Sequence, residues 1–131
     1  MATITSPPIT VFASAAYTAT QTSTTIRSGL AAGEGHTKGL AVVIDCTVDP
    51  ASASVVFTLQ VATGGGSFST IATSTAVIAA NTTTTLIVHP DIANDRANVV
   101  DQGPMATRWQ VVATHNDSDS ITYSVIAFPL Q

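Results

Sequence analysis

The chain has 131 residues, 45% of them hydrophobic and only 9% charged, with a net charge of −4. That length suits one domain with a single core, and the apolar share excludes a disordered chain. Four Lys and Arg in all (Arg27, Lys38, Arg96, Arg108) are too few to track a phosphate backbone, and no stretch approaches the roughly 18 apolar residues of a membrane span, so neither nucleic acid nor a bilayer is expected as a partner.

Residues 1–10 are rich in Thr and Pro, and Pro7-Pro8 blocks regular structure, so this stretch is expected to be an extended arm. Met1–Thr5 lacks the basic and apolar segments of a secretory signal. The rest, 11–131, is expected to form one β-sandwich domain. Edge-type strands are predicted over Val11–Ala16 and Tyr17–Ile26, and the glycines at 29, 33, 35 and 39 predict a loop over 28–39.

Leu40, Val42 and Ile44 then alternate with Ala41, Val43 and Asp45 in a strand closed by Asp49-Pro50. Val55, Phe57, Leu59 and Val61 share one face of the next, with a period of two that marks a half-buried strand. Gly64-Gly65-Gly66 turns the chain into Phe68–Ser74 as the second arm of a hairpin. A short strand is expected in Thr75–Ala80 and a fuller one over Thr82–Val88. Asp91 can cap a helical turn near 91–97. Thr107–His115 and Ile121–Phe128 close the chain, with Trp109 and Val111 on one face of the first and Tyr123 and Val125 on one face of the second. These two are predicted to pair as an antiparallel hairpin with their aromatics inward. Seven to nine short strands with Gly, Pro, Asn and Asp between them predict an all-β fold: an antiparallel β-sandwich, jelly-roll-like, anchored by Phe57, Leu59, Trp109, Val111, Tyr123 and Val125.

No constellation for chemistry emerges. His36, His89 and His115 lack metal-ligand spacing, and no cofactor is expected. Glu34 is the sole glutamate, and Asp45, Asp49, Asp117 and Asp119 read as turn formers. Gly64-Gly65-Gly66 has no P-loop continuation, and no serine stands in a nucleophile motif. Cys46, among apolar neighbours, reads as a buried free thiol of a protein folded in a reducing cytosol. An enzyme acting on a small molecule is therefore not expected.

The run KGLAVVIDCTVDP (38–50), the alternating VVFTLQ (55–60), LIVHPDIA (86–93) and RWQVVATHNDSDSITYSV (108–125) together resemble small virion structural proteins of tailed bacteriophages, of the head decoration (cement) or minor capsid type. The resemblance covers about residues 10–128 and lies in the order and spacing of the segments. It departs at Gly64-Gly65-Gly66-Ser67-Phe68, where the family has a more polar, basic turn. It implies a non-enzymatic β-sandwich in the virion, assembled in the host cytoplasm, bound to the major capsid protein of the shell as a homo-oligomer, with a trimer favoured. The low charge and small residues fit a surface covered by other protein. The arm is the expected contact, through Ile4, Pro7, Pro8, Ile9, Val11 and Phe12. A tail or neck component is the neighbouring alternative. A carbohydrate-binding sandwich is the alternative of another class, and it would need two or more exposed aromatics on one face or in one loop cluster, with Tyr17, Phe68 and Trp109 as the candidates.

Overall fold

A computed structural model describes residues 8–27, 39–50, 53–64, 66–77, 80–88 and 108–130. Nine strands follow one another: β1 (Ile9–Tyr17), β2 (Gln21–Thr22), β3 (Ile26–Arg27), β4 (Gly39–Val48), β5 (Val55–Gly64), β6 (Ser67–Thr73), β7 (Thr82–Val88), β8 (Arg108–His115) and β9 (Ile121–Leu130). The helical turn expected near 91–97 falls outside the described residues.

The pairing is nested. β1 pairs with β9, β2 and β3 with β8, β4 with β7, and β5 with β6, all antiparallel. One long hairpin is thus folded over on itself, and the β4–β9 and β5–β8 pairings zip the folded halves together. The result is a first sheet ordered β1-β9-β4-β7 facing a second ordered β2-β8-β5-β6, with β3 beside β2 on the flank of β8. That is the double-sheet arrangement of a jelly roll.

The core is the sum of the period-two faces. From the first sheet come Leu40, Val42, Ile44 and Cys46 of β4, Leu86 and Val88 of β7, and Ile121, Tyr123, Val125 and Ala127 of β9. From the second come Val55, Phe57 and Leu59 of β5 and Trp109, Val111 and Ala113 of β8. All six anchors named from the sequence have no solvent-exposed surface, and each buried side chain of this size stabilises the fold by about 1.5–3 kcal/mol.

Three expectations need correction. The closing strands do not pair with each other: β8 lies in the second sheet and β9 in the first. Asn116–Ser120 has no glycine to tighten a hairpin. Its Asp119 N–H bonds to the Asp117 carboxylate Oδ1 at 3.1 Å, and the segment carries the chain from one sheet to the other. Thr75–Ala80 holds no strand among its described residues, only a bridge between Val77 and Val55. Just before it, Ser74 Oγ accepts the Phe57 N–H at 2.9 Å and the Ser74 N–H bonds back to the Phe57 carbonyl at 2.8 Å. A buried hydroxyl there takes the place of a ladder carbonyl. Finally, Ile9 and Thr10, expected in the arm, belong to β1, and residues 1–7 lie outside the described residues.

Candidate functional site

Ile4 and Pro7 lie outside the described residues, and Pro8 is exposed. Phe12 is buried, and Ile9 and Val11 are half-buried against the core. Ile9 sits opposite Ala127 and Phe12 opposite Val125, both inward positions of β9. A register shift between Thr10 and Phe12 lets Val11 also pack against the core. Phe12 is 8% exposed and meets the Tyr123 ring edge-on with centroids 6.3 Å apart. Pairing to β9 turns Phe12 inward, out of water, and leaves Ile9 and Val11 half-buried.

Among the described residues, the outer faces of the two sheets differ. On the first sheet, cross-strand neighbours share a face, so the register defines rows. One row runs Thr10, Ile126, Val43, Thr85, and the next Phe128, Ala41, Ile87. Together they form an apolar patch in which Phe128 is 39% exposed. A third row, Ser124, Asp45 and Thr83, brings polarity at the far end, where the Thr83 hydroxyl donates to Asp45 Oδ1 at 3.4 Å. On the second sheet, Val56 and Val112 are interrupted by a polar ladder across three strands. Gln110 Nε2 donates to Gln60 Oε1 at 2.8 Å, and Gln60 Nε2 donates to Thr70 Oγ1 at 3.2 Å. These amides are already bonded to one another, whereas the apolar rows of the first sheet gain only from being covered by another surface.

A second cluster lies where β1 ends. Tyr17 stacks on Tyr123 at 4.6 Å, Phe57 meets the same ring edge-on at 5.0 Å from the facing sheet, and His115 closes the group. The Tyr17 hydroxyl donates to the Ala13 carbonyl at 2.6 Å. His115 Nε2 and the Tyr123 hydroxyl are hydrogen-bonded at 3.0 Å, while the buried His115 Nδ1 has no partner among the described residues. Burial pushes the Tyr123 phenol well above its ordinary range, the Tyr17 phenol adding to the shift, so Tyr123 keeps its proton. Burial lowers the His115 pKa, against a weaker opposite pull from Asp117. A neutral imidazole bonded to a neutral phenol joins the sheets. The pair ties β8 of the second sheet to β9 of the first.

Asp49 behaves as a turn former: its Oδ1 accepts the Ala53 N–H at 2.7 Å. Cys46 is a buried free thiol whose pKa is raised by burial first and by Asp49 and Asp45 next. Trp109 is fully buried, which closes its indole to a sugar ring, and Tyr17 is half-buried against Tyr123. The apolar outer rows were missed from the sequence. Their signal was present in the odd positions of β4 and the even positions of β9, but both faces of these strands are apolar, so alternation could not single out an outer patch.

No family model matches the chain, and neither does any curated protein or any solved structure.

Proposed function

We propose that the chain is a non-enzymatic structural component of a tailed-phage virion, a decoration protein that binds the outside of the head shell and stabilises it. The observation that carries this reading is the asymmetry of the sandwich. One outer face is an apolar patch of Ala41, Val43, Ile87, Ile126 and Phe128, with Asp45 as the charge beyond its edge, and the other carries self-satisfied amides. A face of that kind is stabilised by burial against protein, and many copies on one shell add weak contacts through multivalency. The jelly-roll topology is shared by capsid domains and lectins and does not decide between them. The likeness of segments 38–50, 55–60, 86–93 and 108–125 to phage virion proteins supplies the particle, and the burial of Trp109 counts against a lectin.

In this reading the contact with the major capsid protein moves from the N-terminal arm to the first sheet. The test is shell binding with purified particles that lack the protein, together with its copy number in purified virions. Phe128→Asp removes the burial of an aromatic ring, a loss of about 1.5–3 kcal/mol and so roughly tenfold or more in affinity. Copies approaching those of the shell subunit, with occupancy lost in the variant, are expected. A small fixed number per particle would move the protein to tail or neck, and full occupancy by Phe128→Asp would remove the first sheet as the contact.

A further inference from the structure

Among the described residues the two sheets end in four edges, and three of these carry a feature that discourages pairing with another chain. β1 has two register shifts against β9. β6 has two against β5. The edge beside β8 is broken into the dipeptides β2 and β3, and Ser23 between them bonds to Val111 through both its backbone and its hydroxyl, each at 2.9 Å. Bulges and short strands are the usual means of blunting an edge.

β7 has none of them. Its register against β4 runs unbroken from Leu40↔Val88 to Cys46↔Thr82. Its sequence, TTTTLIV, holds no charge, no proline and no glycine, and all but one of its residues are β-branched. It ends the first sheet, and among the described residues no strand pairs with its other side. A regular, neutral edge of this kind presents, over Thr83–Val88, main-chain N–H and C=O groups in the alternating array that another strand matches.

We propose that β7 is a homotypic docking edge: two copies of this chain pair their β7 strands antiparallel about a two-fold axis, joining two four-stranded sheets into one continuous sheet. Three observations favour a second copy as the occupant. An antiparallel strand is complementary to itself, so one two-fold contact covers both edges and closes the assembly. The outward residues Thr83, Thr85 and Ile87 would meet Thr and Ile of the second copy, favourable cross-strand neighbours with no charge to oppose them. Asp45, the charge nearest the edge, sits opposite Thr83 at one end of β7. Antiparallel pairing puts the two Asp45 carboxylates at opposite ends of the seam, whereas parallel pairing would bring them to the same end. The proposal stands on the isolated chain and does not depend on the shell reading, although it replaces the trimer that the family likeness favours with a dimer.

The test is sedimentation equilibrium of the full chain over a wide concentration range, with amide hydrogen exchange read at low and high concentration. A reversible dimer is expected, with Thr83–Val88 amides gaining protection as it forms. Thr85→Lys places two like charges beside the axis and is expected to weaken the dimer at least about tenfold. Thr10→Lys, on the bulged β1 edge, is expected to leave it unchanged. A chain that stays monomeric throughout overturns the proposal, as does a trimer, or a dimer whose β7 amides exchange as fast as in the monomer. If Thr85→Lys does not fold, the wild-type exchange pattern decides alone.

Discussion

Tyr123→Phe removes one oxygen atom from the centre of the fold and isolates what the joint between the sheets is worth. The ring stays, so its contacts with Phe12, Tyr17 and Phe57 are kept. What is lost is the 3.0 Å bond to His115 Nε2. His115 Nδ1 already has no partner among the described residues, so the variant leaves the imidazole with neither nitrogen bonded there. Stranding a partly buried polar group costs about 1–3 kcal/mol. Unfolding entropy of about 2.1 cal/mol/K per residue amounts, for a chain of this length, to about 0.28 kcal/mol/K, so the loss corresponds to a fall in Tm of about 4–11 °C. Differential scanning calorimetry at neutral pH reads this directly. His115→Phe combined with Tyr123→Phe should recover most of the loss, because removing both partners leaves no stranded group. A single Tyr123→Phe variant within about a degree of wild type would refute the reasoning, since it would mean that solvent already serves His115 as well as the phenol does.

The same histidine sets a dependence on acidity. Burial lowers its pKa below the ordinary value of 6.5, so between the two values the unfolded chain binds the proton that the folded chain refuses. Its contribution is therefore complete above about pH 6.5, falls as the pH drops through that window, and levels off below the folded pKa. The loss in Tm from neutral to acid pH should be smaller in His115→Gln than in wild type, and equal losses would remove His115 as the cause. Ser74→Ala should lower stability by about 1–3 kcal/mol in chemical unfolding, because the Phe57 N–H loses the hydroxyl it bonds at 2.9 Å in a buried position. An unchanged unfolding midpoint would show that this N–H finds another acceptor. Cys46, buried and with its pKa raised, should resist a thiol reagent in the folded chain and titrate as one thiol per chain once unfolded. Rapid labelling of the native protein would contradict the burial.

Strands β4, β5, β8 and β9 and their inner faces were legible because each depends on neighbours two residues away. Val55, Phe57 and Leu59 declare a face by alternation alone, as do Trp109 and Val111, and Tyr123 and Val125. The β5–β6 hairpin was legible because its glycine turn is local, and Gly66 takes the positive φ of 85° that only a residue without a side chain adopts freely. Cys46 declared itself by its apolar strand in the same way.

Tertiary structure decided the rest. Alternation says that Trp109 and Tyr123 point inward, but a residue points inward equally well from either sheet, so the expected β8–β9 hairpin could not be told from a crossing between sheets. The fate of Phe12 was settled by β9, near the other end of the chain, which offered Val125 as its opposite. The His115–Tyr123 bond, the hydroxyl of Ser74 in the β5 ladder and the apolar outer rows around Phe128 likewise exist only once distant strands lie side by side. Local periodicity encodes which way a side chain faces, and only the long-range pairing of strands determines what it meets there.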